Sequence, residues 1–260
     1  MPLALITGAS SGIGREFARQ LSSRGYDLLL VARRRDRLEA VGAETAVANG
    51  KPAGILVADL ATEAGIREVE ARIGARPPDL LVNNAGFGSR GTFAGTGVAV
   101  QEEMHRLHVL ATLRLTHAAL AGMLVRGTGA IVNVSSVAGF LSAPGSVSYC
   151  ATKHWMNVFT EGLWMELREA RSAVRVQALC PGFTITEFHD RIDYDRSSVP
   201  AALWLRAGFV VAESLRGLEK GTLFVIPDWR YKAIVLAVRL LPRSLARRLS
   251  VRRQRSFRRI

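Results

Sequence analysis

The stretch that most limits how this chain can fold lies at its start. Leu3-Ala4-Leu5-Ile6 is a short apolar run with the length of a buried strand, and it leads directly into Thr7-Gly8-Ala9-Ser10-Ser11-Gly12-Ile13-Gly14. A helical pattern follows through Arg24. Strand, glycine turn and helix in that order form the entry to a dinucleotide-binding unit. In that setting Gly8 allows a tight turn, Gly12 lets backbone approach a pyrophosphate, and Gly14 permits close packing of helix on strand. Ser10, Ser11 and Ile13 complete the loop, with the phosphate charge expected at the helix N-terminus. The spacing is Gly-x-x-x-Gly-x-Gly, and a P-loop is excluded because no Gly-Lys-Ser/Thr follows. The bland alternative is a glycine-rich turn that holds no ligand.

The rest of the chain repeats the alternation. Residues 26–32, 53–57, 80–82, 130–134, 174–178 and 222–226 read as further strands, with helices at 34–49, 62–74, 98–126 and 149–171. This predicts an α/β protein: a single-domain Rossmann fold with a doubly wound, parallel, seven-stranded sheet and helices on both faces. With 260 residues, 48% of them hydrophobic, the chain can bury a large core, and no linker interrupts it. Residues 1–228 form the expected domain, and 229–260 read as a basic amphipathic extension of it.

In such a sheet the ligand crevice lies beyond the strand C-termini. The second strand ends at Ala32, where an NAD enzyme would carry an acidic residue, and Arg33-Arg34-Arg35 follow. A guanidinium grips a 2′-phosphate that a carboxylate would repel, so NADP(H) is preferred over NAD(H). Alternatively, these arginines only begin the helix of 34–49 on its wet face. Asp59-Leu60 closes the third strand, where a carboxylate can accept from an adenine amino group. Asn83-Asn84-Ala85-Gly86 closes the fourth, Ser135-Ser136 the fifth, and Cys180-Pro181-Gly182-Phe183-Thr184-Ile185-Thr186 the sixth.

Proton chemistry concentrates between Ser135 and Lys153. A four-residue helical spacing stacks Tyr149 and Lys153 on one face, where the ammonium can stabilise a phenolate. A free tyrosine, with pKa about 10, is too weak a base at neutral pH. Lys153 would correct that, and Ser136 can hydrogen-bond an oxygen on which charge develops. Taken alone, Tyr-x-x-x-Lys also describes many exposed helix turns.

Together these motifs resemble the classical short-chain dehydrogenase/reductase family over residues 3–227. The resemblance rests on Thr7-Gly8-x-x-x-Gly12-Ile13-Gly14, Asn83-Asn84-Ala85-Gly86, Ser136, Tyr149-x-x-x-Lys153 and Pro181-Gly182-x-x-x-Thr186, in the family's order and spacing. It implies hydride transfer between nicotinamide and a carbonyl or secondary alcohol, without a metal. Tyr149 would be the acid/base, Ser136 would hold the carbonyl oxygen, and Lys153 would lower the tyrosine pKa and bind the nicotinamide ribose. Pro181, Gly182, Thr184 and Thr186 would seat the nicotinamide, and Asn84, Ala85 and Gly86 belong to the cofactor wall. One departure stands out. Where the family has a helix asparagine that holds a proton-relay water, this chain has His108. Histidine can also donate and accept, and titrates near neutrality, so it either sustains a relay or merely packs. The alternatives to an NADP(H) enzyme are an NAD-dependent alcohol dehydrogenase of the same fold and a dinucleotide-sensing scaffold without turnover.

The segments 87–97, 138–148 and 187–206 hold Phe87, Phe93, Phe140, Leu141, Phe183, Phe188, Leu203 and Trp204, which suits a small hydrophobic carbonyl or alcohol substrate. The net charge is +13, but nine arginines and no acidic residue lie from Arg239 onward, leaving +4 for everything before. The charge therefore gives no specific nucleic-acid site in the body of the chain. Leu241, Leu245 and Leu249 form one stripe among those arginines, which fits a helix on an anionic bilayer or a partner subunit, or a helix packed on its own domain. Neither terminus carries a span-length apolar run, so a cytoplasmic protein is expected, with peripheral contact at the membrane inner face through the tail. Cys150 and Cys180 read as reduced packing residues, and the five histidines lack zinc-ligand spacing. A homodimer or homotetramer through helices 98–126 and 149–171 is expected from the resemblance.

Overall fold

Leu3–Thr7 forms strand β1, and its side chains alternate between two separate cores: Leu3 and Leu5 face one, Ala4 and Ile6 the other. A strand that is apolar on both faces must lie inside a sheet covered on both sides. The computed structural model, which describes residues 1–190, 195–242, 244–245 and 248, has that architecture. After β1 come α1 (Gly12–Ser22), β2 (Asp27–Ala32), α2 (Arg35–Asn49), β3 (Gly54–Val57), α3 (Glu63–Ala75) and β4 (Leu80–Asn83). Then follow α4 (Val98–His105), a π-helical turn (Arg106–Ala111), α5 (Thr112–Arg126), β5 (Ala130–Val134), α6 (Val147–Glu169) and β6 (Arg175–Leu179). The last part holds β7 (Thr184–Ile185), α7 (Glu187–Asp190), β8 (Leu205–Arg206), α8 (Ala207–Glu219), β9 (Phe224–Val225) and α9 (Trp229–Leu240).

The seven-stranded sheet has the order β3-β2-β1-β4-β5-β6-β9, parallel throughout, as the alternation predicts. Its order reverses between β1 and β4, which fixes the crevice at their C-terminal ends. One core packs Phe17, Leu21, Leu38, Val210 and Leu215 from α1, α2 and α8, and the other packs Ile66, Val69, Leu115, Met123 and Leu163 from α3, α5 and α6. Several features differ from expectation: the helix of 98–126 is interrupted by the π turn, α8 is an additional helix before the last strand, β7 and β8 form a separate two-stranded sheet, and α9 ends at Leu240, ahead of the expected leucine stripe. By length and mean hydropathy (1.3), Val98–Arg126 is apolar enough to cross a membrane, but Leu115, Ala119 and Met123 are buried against the sheet.

Buried amides lock the helices to the sheet. Asn83 Nδ2 donates to Thr116 Oγ1 (3.0 Å) and Asn133 Oδ1 (2.9 Å), and Asn133 Nδ2 donates to Thr160 Oγ1 (2.9 Å). Polar side chains at full burial are costly unless bonded, so these bonds pin the register of α6 against β4 and β5. That register positions the residues one turn further on.

Candidate active site

The first turn is built by backbone geometry. Gly8 and Gly12 adopt φ of +64° and +56°, a region that side chains resist. A Cβ on Gly8 would lie 2.8 Å from Asn84 Nδ2, while Gly14 sits beneath, packed on the Gly8 carbonyl where a side chain would collide. The turn is braced from the fourth strand. Thr7 Oγ1 accepts from the N–H groups of Asn84 (2.9 Å) and Ala85 (3.0 Å), and Asn84 Nδ2 donates to the Thr7 carbonyl (2.9 Å). The nearest neighbour of a Cβ built on Gly12 is the Thr186 side chain, at 3.0 Å, and Gly12 lines the crevice. With the N-terminus of α1 alongside, this cradle fits the pyrophosphate of a dinucleotide.

At the end of β2 the two arginines diverge. Arg34 Nη2 donates to Ser10 Oγ (3.1 Å), Ser11 Oγ (3.2 Å) and Glu187 Oε2 (3.1 Å). Arg33 turns the other way, to Glu103 (3.3 Å) and Asp59 (3.8 Å). Asp59 Oδ1 accepts from the Ala61 N–H (3.0 Å), which fixes that carboxylate at the crevice wall. Apart from Gly14, every predicted site residue lines the same crevice, of about 2090 Å³.

At the other end, Ser136 leaves β5 with extended backbone and caps a 3-10 turn, its Oγ accepting from the Ala138 N–H at 3.1 Å. The same hydroxyl donates to the Pro181 carbonyl (3.4 Å), and it stands close enough to the Tyr149 phenol to counter the effect of burial on that group. Ser135 Oγ instead donates to the Lys153 carbonyl (3.0 Å), tying the strand to α6. Tyr149 and Lys153 share one face of α6, with Nζ 5.9 Å from the ring centre and donating to the Val134 carbonyl at 2.7 Å. Burial pushes the Tyr149 phenol up to about 12, with the Ser136 hydroxyl opposing it. Burial also brings Lys153 down to about 8. The expected lowering of the tyrosine by Lys153 is therefore not found here. The ammonium engages Val134, and desolvation dominates the phenol.

His108 lies in the π turn, fully buried, with its ring 6.0 Å from that of Tyr149. Nε2 accepts from the Phe87 N–H (3.1 Å), which assigns the proton to Nδ1, and Nδ1 donates to Thr152 Oγ1 (3.0 Å). Thr152 in turn donates to the Tyr149 carbonyl (3.0 Å). Burial, then the Lys153 charge, hold the imidazole well below the usual histidine range. This corrects the expected titration near neutrality: His108 is neutral, and both ring nitrogens join the loop after β4 to α6 rather than to Lys153.

Residues 2–197 match the family described as short chain dehydrogenase. The chain belongs to the short-chain dehydrogenase family. It is accordingly an oxidoreductase of alcohol and carbonyl groups. It is similar to human "Dehydrogenase/reductase SDR family member 7", 39% identical over 183 residues, which are 68% of this chain; the chain spans about half (53%) of that relative's length. Solved structures that match over the full chain include the following two. One is a short-chain dehydrogenase from Sphingobium yanoikuyae in complex with NADPH, 34% identical, covering 96% of that chain with TM-score 0.82. The other is a bulky-bulky ketone specific alcohol dehydrogenase from Comamonas testosteroni, 30% identical, covering 95% with TM-score 0.78.

In this dehydrogenase Phe87, Phe140, Leu141, Phe183 and Phe188 line the crevice. Phe93 does not; it is 60% exposed. Trp204 and Leu203 stand behind the wall, Trp204 with its ring 5.3 Å from that of Phe183 and Leu203 against the core. Ile234 and Val238 of α9 join the wall instead. Sequence reasoning also passed over Tyr231. Its buried hydroxyl accepts from the Phe183 N–H (2.9 Å) and donates to the Leu203 carbonyl (2.6 Å), and its ring covers Gly182, where a Cβ would collide. Tyr231 thus seats the Pro181-Gly182 turn. Thr184 Oγ1 donates to the Gly182 carbonyl (3.1 Å) and Thr186 Oγ1 to that of Thr184 (3.5 Å), so both threonines shape the turn from within.

Proposed function

We propose that this chain is an NADP(H)-preferring oxidoreductase of hydrophobic ketones or aldehydes and their alcohols, with Tyr149 as acid/base. The observation that carries this reading is one continuous crevice with Arg34, Ser10 and Ser11 at one end and Ser136 and Tyr149 at the other. When bound, the dinucleotide supplies or accepts a hydride at nicotinamide C4. The cradle of Gly8, Gly12 and the α1 N-terminus would hold its pyrophosphate, and Arg34 its 2′-phosphate. Ser136 Oγ donates to the substrate carbonyl oxygen, and the Tyr149 hydroxyl gives its proton as that oxygen gains charge. A phenol raised to about 12 is fully protonated at neutral pH, which supports its use as a proton donor in carbonyl reduction. Lys153, brought down to about 8, remains mostly cationic at pH 7 and stands one turn away to hold the ribose.

The apolar wall of Phe87, Phe140, Phe188 and Val238 supports a bulky hydrophobic substrate, as does likeness to a ketone-specific alcohol dehydrogenase. The test is calorimetric titration with NADPH and NADH, then a carbonyl screen with the preferred cofactor. Turnover of aliphatic, aromatic or steroidal ketones that vanishes in Tyr149→Phe, with cofactor affinity retained, supports the reading. Turnover of polyols alone overturns the substrate class; binding of neither dinucleotide would leave a scaffold.

Two surfaces extend this reading to partners. Leu110, Leu113, Val158 and Met165 are exposed on the two long helices, which supports a homodimer or homotetramer; a monomer by light scattering would refute it. On α9, Trp229, Leu236 and Leu240 are exposed near Arg230 and Lys232, which supports peripheral contact with an anionic bilayer. Leu245 is exposed as well, and Leu249 lies outside the described residues. Residues 243–260 hold most of the arginines of this end, so removing them should abolish sedimentation with anionic vesicles although the apolar face of α9 remains; unchanged sedimentation, or none of the full chain, would refute the contact.

A further inference from the structure

Arg34 presents both terminal nitrogens to one oxygen of Glu187, each at 3.1 Å, and Arg37 Nη1 stands 3.5 Å from the other. The carboxylate thus sits between two cations, and the guanidinium of one of them, Arg34, also holds the Ser10 and Ser11 hydroxyls. That donor set is the one a phosphate monoester seeks. Glu187 reaches it from the far side of the crevice. It directly follows Thr186, which lies against Gly12, and β7, which pairs with β8. The segment Thr184–Glu187 thus crosses the glycine turn as a strap, with Glu187 as its fastening.

We propose that Glu187 is a specificity-determining residue: its carboxylate occupies the seat of the cofactor 2′-phosphate and latches the strap until that phosphate displaces it. This rests on the NADP(H) reading given above. A phosphate monoester carries about −1.5 to −2 charges and three acceptor oxygens at neutral pH, so it outcompetes a single carboxylate for Arg34 and Arg37. A ribose hydroxyl is neutral and does not. The latch is therefore released by the phosphorylated dinucleotide and left closed by the other. Release also reaches the substrate wall, because Phe188, next in the chain, lies with its ring 5.8 Å from that of Tyr149.

The test uses the full-length protein and two probes that touch only the adenosine end, adenosine 2′,5′-bisphosphate and 5′-AMP. Glu187→Gln should bind the bisphosphate roughly three- to tenfold more tightly than wild type, and 5′-AMP with unchanged affinity. In an Arg34→Ala, Arg37→Ala background the same substitution should have no effect on either probe, which a general loosening of the strap would not reproduce. Melting curves establish that each variant is folded. Equal tightening of both probes, or no tightening while wild type still prefers NADPH to NADH, overturns the latch alone. A wild-type preference for NADH overturns the cofactor reading and the latch with it.

Discussion

Replacing Tyr231 with phenylalanine removes one oxygen atom and leaves the ring over Gly182 in place. That oxygen serves two partners in a region that is nearly dry: Tyr231 is 3% exposed, and its hydroxyl is bonded to the Phe183 N–H and the Leu203 carbonyl. A typical internal hydrogen bond contributes about 1 kcal/mol net, and a stranded buried partner costs about 1–3 kcal/mol. Since ring packing is conserved and both partners are only part-buried, the variant should lose about 2–3 kcal/mol of stability. For a chain of this size that corresponds to a melting temperature lower by roughly 5–10 °C. The functional consequence follows from position, because Phe183 adjoins Pro181-Gly182 and its carbonyl accepts from the Leu205 N–H at 2.9 Å. Loss of the tether loosens the turn proposed to seat the nicotinamide, so dinucleotide affinity should weaken severalfold while the chemical step is retained. Urea unfolding monitored by circular dichroism gives the first number and calorimetric titration the second. A stability change below about 0.5 kcal/mol with unaltered affinity would mean that water replaces the hydroxyl, and the argument that α9 is an integral support of the site would fail.

Two further substitutions probe the site. Arg34→Ala should weaken NADPH binding roughly 10- to 100-fold with little effect on NADH, and Arg33→Ala much less, because Arg33 points away from Ser10 and Ser11 toward Glu103 and Asp59; equal losses for both cofactors would refute the clamp. His108→Leu strands the Phe87 N–H and should cost about 1–3 kcal/mol and slow turnover, whereas His108→Asn should keep or raise turnover; equal rates for wild type and His108→Leu over pH 6–9 would refute this. The same site makes a stability prediction. With the folded pKa depressed, the contribution of neutral His108 is fully present above the unfolded value of about 6.5. It declines by up to about 1.4 kcal/mol per unit as pH falls below that, and His108→Asn should remove this slope from unfolding curves at pH 5.5 and 7.5.

What the sequence made legible is local. The glycine turn, the serine pair after β5 and the Tyr149–Lys153 spacing each follow from short-range rules about strands, turns and helix faces, and the sheet order brings them to one edge. The tie from Tyr231 to Phe183 joins residues 48 apart, and that from Glu187 to Arg34 joins residues 153 apart, and neither leaves a periodic trace. Chemistry at a fixed position is also settled by neighbours that spacing does not name. The four-residue stack correctly puts Lys153 beside Tyr149, yet the Val134 carbonyl captures the ammonium and burial controls the phenol. Arg33 and Arg34 make the point most directly. Read as a pair they form one clamp, but successive residues leaving a strand point to opposite sides, so one guanidinium joins Asp59 and Glu103 while the other joins the serines of the glycine turn. Adjacent identical residues therefore have different electrostatic partners, and the proposed choice between two cofactors that differ by a single phosphate falls to the one facing Ser10 and Ser11.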